Sequence, residues 1–301
     1  MFDRITTRRD LVACRGQVLA RRGFVISPES IAEAAAAARP GPGLALAETP
    51  VVDDVEAAVG DNALRHLLRT SEARAAVGRV LLAIRLPPAA WEEVEAQRRA
   101  DPVRHRHALS TAAVTSRLLA VGAGESRVQP DVAAAALLHD FGMRHVVPRV
   151  ARGAQPLQED DAREVAQHPF LGAWHLARLL GPHAAVEAAL AHHWCKGQGY
   201  PDLARPPART TEVVAVASAF AALTQDRSYR SNPFDPRGAV DVLVADAGAG
   251  RFDPSTVKLL VHALRGGHGE ARSVRFGRAR HVQLPLVNHH TPIAAPARSW
   301  I

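Results

Sequence analysis

The chain has 301 residues, 47% hydrophobic and 22% charged, a balance that gives ample core material and excludes a disordered protein. Its formal net charge is +7, but residues 265–301 hold Arg265, Arg272, Arg275, Arg278, Arg280 and Arg298 against one acid, Glu270. Most of the excess is therefore local to that tail, which argues against a DNA- or RNA-binding body.

Other features narrow the class. Cys14 and Cys195 alone do not make a disulfide framework. The opening MFDRITTRRD carries charge where a signal peptide needs an apolar run, and no stretch approaches the ~18 apolar residues of a membrane span. The expected compartment is the cytoplasm. Ala and Arg dominate and Lys196 and Lys258 are the only lysines, so a single Arg carries little weight.

In chain order, DLVACRGQVLARRGFVIS predicts a short strand or hairpin. SPESIAEAAAAA predicts a helix with Ser27 as N-cap, Pro28 at its first position and Ser30 as the other cap candidate. ARPGPGLALAETP reads as a linker. Residues 53–84 read as helical, with Leu64, Leu67, Leu68, Val77, Val80 and Leu81 at helical spacing. From residue 89 to 266 one helix follows another, separated by Gly, Pro and Asp-Pro, with no strand-like alternation. The tail 267–301 is basic and partly irregular, with one strand suggested in RHVQLPLV. The expected organisation is a small N-terminal α/β or β module with connecting helices (1–88), an all-α bundle of five or more helices (89–266) and the tail.

The chemistry-bearing residues stand at the ends of these helices. His107 starts one, His139 and Asp140 end AAAALLHD, His168 lies in AQHPFLG, and His192 and His193 end AALAHHW. Each interval is about one helix and its return, which in an antiparallel bundle brings successive helix ends to one place. Five imidazoles and a carboxylate suit divalent iron, manganese, nickel or zinc. Singly each element has a plainer reading: a His-Asp pair can be a helix cap, and adjacent histidines diverge by about 100° on a helix. The remaining histidines, His145 and His175 among them, read as surface or structural.

The stretches HALSTAAVTSRLLA, LLHDFG, QHPFLGAWHL, HHWCKGQGYP and VVAVASAFAALTQDRSYR together resemble the HD superfamily of metal-dependent phosphohydrolases and, within it, the HD-GYP subgroup. The likeness covers about residues 100–265. It implies an HD-type helical bundle and hydrolysis of cyclic di-GMP, with a hydroxide on a two-metal centre attacking the phosphodiester. Carried over by position, it implies that Asp140 bridges the metals, that His168, His192 and His193 complete one site, and that His107 and His139 form the other. Asp140 and His139 would be the catalytic pair. The ions implied are Fe or Mn, with Ni or Zn as alternatives, one or two per chain. Arg144, Lys196, Gly197, Gly199, Tyr200, Arg227 and Arg230 would contact substrate.

Several positions depart from the family pattern. Ser218 stands where the second site needs an aspartate, Trp194 replaces the glutamate after the paired histidines, Met143 replaces a phosphate-contacting lysine, and Ala221 replaces a second aspartate. Two readings follow. One is a phosphodiesterase acting on a cyclic dinucleotide or another phosphoester. The other is a catalytically impaired relative that binds a nucleotide or a signalling protein partner. An acid such as Asp226 reaching the Ser218 position would favour the first.

Overall fold

The computed structural model describes residues 3–124, 126–146, 158–195, 199–226 and 232–276. The chain begins with two antiparallel ladders. β1 (Ile5–Thr6) pairs with β4 (Val25–Ile26), and β2 (Leu11–Val12) with β3 (Val18–Ala20). Strand alternation turns Ile5, Leu11, Ala20 and Ile26 inward and leaves Thr6, Val12 and Val25 exposed.

α1 (Pro28–Ala37) starts at Ser27, as its sequence predicts. The Ser27 side chain accepts from the Ser30 N–H, and Ser30 Oγ accepts from the Ser27 N–H, so the two cap candidates act together. The Pro/Gly stretch read as a linker is partly ordered: its β5 (Leu44–Ala45) pairs with β6 (Arg85–Leu86). The helical region expected over 53–84 is two helices, α2 (Val52–Gly60) and α3 (Ser71–Leu82). Two caps divide it. Asp61 accepts from the Ala63 N–H and starts a short 3-10 turn, and Thr70 accepts from the Ala73 N–H.

Beyond residue 88 the described residues form helices and no strand. They are α4 (Pro88–Ala100), α5 (Pro102–Ala123), α6 (Gln129–Leu138), a 3-10 turn (Phe141–His145), α7 (Glu159–Val165), α8 (His168–Leu180), α9 (Ala184–Ala191), α10 (Arg209–Thr224), α11 (Pro236–Gly248) and α12 (Pro254–Leu264). The Asp-Pro dipeptides explain three of the starts. Asp101, Asp235 and Asp253 each accept a first-turn N–H, and the proline behind each has no N–H to leave unsatisfied. The strand suggested in RHVQLPLV lies outside the described residues.

α6 is the central helix, buried on all faces from Val132 to Leu138. Its alanines 133–136 keep it thin, and α3, α5, α9 and α10 all pack on it. α8 is buried from His168 to Ala177 and packs against α9, the 3-10 turn and α1. One hydrophobic cluster runs from Ile5 to Val274, so the N-terminal segments share a core with the helices. Among the described residues no helix is long and apolar enough to cross a membrane. Phe220 on α10 is fully buried. Phe220→Ala is expected to cost about 3–5 kcal/mol in urea denaturation. A loss below about 1 kcal/mol would show that α10 is not held by this face.

Candidate metal centre

The expected ligands meet at the ends of the central helices. His107 lies near the start of α5, His139 closes α6, and Asp140 caps the 3-10 turn. His168 opens α8, His192 closes α9 with His193 behind it, and Ser218 projects from the middle of α10. Helix ends suit this task because their last carbonyls have acceptor capacity to spare: several lack intrahelical donors, and Ala188 O, which accepts the His192 N–H, has a second lone pair. The Nδ1–H of His139 donates to Ala136 O at 2.7 Å, that of His168 to Val165 O at 2.7 Å, and that of His192 to Ala188 O at 2.9 Å. A carbonyl only accepts, so each Nδ1 carries a proton, and in the neutral ring Nε2 then presents a lone pair.

Those lone pairs converge on Asp140. Its Oδ1 lies 3.3 Å from His168 Nε2 and 3.4 Å from His192 Nε2, and its Oδ2 lies 3.8 Å from His139 Nε2 and 3.9 Å from His107 Nε2. The Nε2 atoms of His168 and His192 are 3.2 Å apart. The donor atoms of Asp140, His168, His192 and His193 all lie within 4.8 Å of one another, and so do those of His107, His139 and Asp140. Asp140 thus belongs to both groups, one oxygen toward each.

Burial removes the protons that could reconcile these atoms. It lowers His139 from its ordinary 6.5 to about 4 although Asp140 opposes the shift. Burial likewise lowers His168, and carries His193 well below its ordinary value. Burial works against ionising Asp140, yet its carboxyl lies well below the usual range, because a facing ring favours the charged carboxylate whenever it carries a proton toward it. His193 Nδ1 is buried with no hydrogen-bond partner among the described residues. With these rings neutral, their nitrogens and an ionised carboxylate surround one space with their lone pairs directed at each other. A divalent cation turns that repulsion into attraction, and the donor set fits one.

The second group ends differently. Ser218 Oγ lies 3.0 Å from His139 Nε2 and 3.4 Å from His107 Nε2. A hydroxyl can donate to one of these nitrogens but brings no charge. Asp226 is exposed beyond the end of α10 and joins neither group, so among the described residues Asp140 is the sole acid of both.

Two glycines make the convergence feasible. A Cβ on Gly142 would lie 1.9 Å from His168 O and 2.5 Å from Gly172 N, and one on Gly172 would lie 2.7 Å from Gly142 N. The turn after Asp140 thus rests backbone-on-backbone against the first turns of α8, which sets Asp140 beside His168.

Residues 92–256, more than half of the chain, match the family model of the HD domain. The chain belongs to the HD-domain family. Every ligand position above falls inside the matched span. Among solved structures this HD domain is similar to that of the L. monocytogenes phosphodiesterase PgpH in complex with cyclic-di-AMP, at 17% identity and a TM-score of 0.46, covering 62% of this chain and 99% of that one. It is also similar to Bd1817, an HDG"Y"P protein from Bdellovibrio bacteriovorus, at 16% identity and a TM-score of 0.47, covering 87% of this chain and 99% of that one. No curated protein matches the chain.

The substrate contacts expected for this HD domain are placed in part. Arg144 is ion-paired with the buried carboxylate of Glu93. Gly199 N–H donates to Cys195 O at 3.0 Å, and its Cα is so close to Cys195 N and His193 O that a Cβ would lie 2.2 Å from each. The Tyr200 ring stacks on His193, centroids 4.6 Å apart, so its own chain takes one of its faces, and burial pushes its hydroxyl pKa up. Lys196, Gly197, Arg227 and Arg230 lie outside the described residues. Cys195 is buried and joins neither ligand group. Sequence reasoning misses Glu93 and the Gly142–Gly172 contact. The one signal for Glu93 is its helical phase with the buried Ala90, Trp91 and Val94.

Gly142→Ala is expected to weaken metal binding by at least about tenfold while leaving the helical circular dichroism near wild type; unchanged binding would remove the turn from the design of the centre. The metal-free protein should lose stability on acidification. The unfolded His139 takes up a proton near 6.5 and the folded one only near about 4. Between these values the unfolded state binds more protons, so stability present at neutral pH falls as the pH drops, by about 2 kcal/mol between pH 7.5 and 5. Urea denaturation in chelator at pH 7.5, 6 and 5 measures it, and a flat profile would contradict neutral, buried imidazoles.

Proposed function

We propose that this HD-domain protein is a metal-dependent phosphohydrolase that cleaves a phosphodiester, with a cyclic dinucleotide, cyclic di-GMP first, as substrate class. The observation that supports it is the convergence of Nε2 lone pairs from His139, His168 and His192 on an Asp140 carboxylate whose two oxygens face two ligand groups. Asp140, His168, His192 and His193 would hold one ion, and His107, His139 and Asp140, with Ser218 beside them, a second. Iron or manganese fits the imidazole–carboxylate set. When bound, the ions supply positive charge against phosphoryl oxygens and acidify water.

The chain's own residues do the rest. Their Nδ1–H bonds to helix-end carbonyls fix the rings of His139, His168 and His192 before any ligand arrives. Asp140 sets the distance between the two groups. Tyr200 covers His193 on one side. Ser218 leaves the His107–His139 group one negative charge short of a carboxylate.

That shortfall favours a second reading, a binding module that keeps one metal and has lost turnover. Metal content by mass spectrometry, on protein purified without oxygen or chelator, tests both together with hydrolysis of cyclic di-GMP. The expected result is one tightly held ion per chain and a second that exchanges, with slow turnover. Ser218→Asp should retain about two ions and hydrolyse faster. Asp140→Asn should lose both ions and at least about a hundredfold in turnover. Bound metal without hydrolysis of any cyclic or linear dinucleotide, in the wild type and in Ser218→Asp alike, would overturn the enzymatic reading in favour of the binding module.

A further inference from the structure

A second set of buried polar side chains lies outside the ligand groups. Its hub is Glu93 on α4, whose residue is 2% exposed. Glu93 Oε1 accepts the backbone N–H of Cys14 at 2.9 Å and lies 3.4 Å from His175 Nε2. Its other oxygen is ion-paired with Arg144. His175 is fully buried on α8, and its Nδ1 lies 3.1 Å from His145 Nε2. The two ring nitrogens of His175 thus face different neighbours, Nε2 toward Glu93 and Nδ1 toward His145, so the three side chains do not face one point and form no ligand set.

The network is polarised in one direction. Burial raises the Glu93 carboxyl, but His175, the Cys14 N–H and Arg144 together outweigh it and lower it to about 2. An ionised carboxylate favours the His175 proton on the near nitrogen, Nε2. Nδ1 is then an acceptor, and His145 Nε2–H is its donor. A buried charge pair is costly to form and more costly to break on one side, so this network resists rearrangement.

What it holds is the 3-10 turn. Arg144 and His145 belong to that turn, Asp140 is its N-cap, and Gly142 is pressed on the backbone of α8. The Phe141 ring fills the space between, 5.3 Å from the Arg144 guanidinium and 5.1 Å from the His175 ring. His175 sits two turns along α8 from His168, about 10 Å by helical rise. The turn is therefore clamped on α4 and α8 at once, and rotating it would swing Asp140.

We propose that Glu93 is a positioning residue of the metal centre: through Arg144, and through His175 and His145, it fixes the turn that begins at Asp140 so that one carboxylate serves both ligand groups. The Cys14 N–H brings the N-terminal ladders into the same clamp. This rests on the metal reading of the centre and on no particular substrate.

Anaerobic titration of the full chain with Co(II) tests it, reading affinity and the visible d–d spectrum at saturation. Glu93→Gln should bind about tenfold more weakly with a shifted spectrum, and Glu93→Asp should recover most of the affinity. Arg251→Gln serves as a control, since it breaks the pair with Asp246 on α11, a helix without ligands. It should destabilise the fold yet keep the wild-type affinity and spectrum. If Glu93→Gln does not fold, Glu93→Gln with Arg144→Gln leaves no unpaired buried charge and should show the same spectral shift. Wild-type affinity and spectrum in the folded Glu93 variants would overturn the proposal alone. Wild-type protein that binds no Co(II) would overturn the metal reading and this inference with it.

Discussion

The structure depends on one electrostatic constraint: several imidazoles and one carboxylate direct their ring nitrogens and oxygens at a shared space. Each ring is held there by its Nδ1–H bond to a helix-end carbonyl, at Ala136, Val165 and Ala188. Burial then keeps protons off the facing nitrogens. Left alone, such an arrangement is repulsive, and a proton or a metal cation in its midst makes it favourable. The cost of assembling it falls on the rest of the fold, which must bring helix ends together and forbid their relaxation apart.

The fold meets that cost with small residues and buried clamps. Alanines 133–136 let α6 run through the centre with neighbours on every side. Gly142 and Gly172 let the Asp140 turn touch α8 backbone to backbone. Glu93 and Arg144 hold the far end of the same turn. A centre of this kind needs more rigidity than hydrophobic packing alone gives, because a carboxylate shared by two groups tolerates little rotation.

The two halves of the centre are unequal. Three histidines and Asp140 form the first group, with His193 offering an unpartnered nitrogen. The second group has His107, His139 and the other oxygen of Asp140, and a hydroxyl where a carboxylate would add charge. In the low dielectric of a buried site a missing charge is felt more strongly than in water. Under the metal reading, the chemistry open to this HD domain turns on how firmly the second group would hold an ion.

Much of this was legible in the sequence. Helix starts could be read from Asp-Pro and from Ser27, because caps and proline act within one turn of chain. The convergence of His139, Asp140, His168, His192 and His193 could be read because each sits at a helix end, about one helix and its return from the next. His107, expected to start a helix, lies in the second turn of α5, which begins at Pro102. The break between α2 and α3 was not legible, since Asp61 and Thr70 are ordinary residues until they cap. Only the tertiary structure decided which charges pair across the fold: that Arg144 turns to Glu93, that Asp226 stays outside, and that Tyr200 lies on His193. Those choices depend on distances between residues far apart in the chain. Local sequence pattern carries periodicity and capping, and it does not carry the burial that decides which buried charge finds which partner.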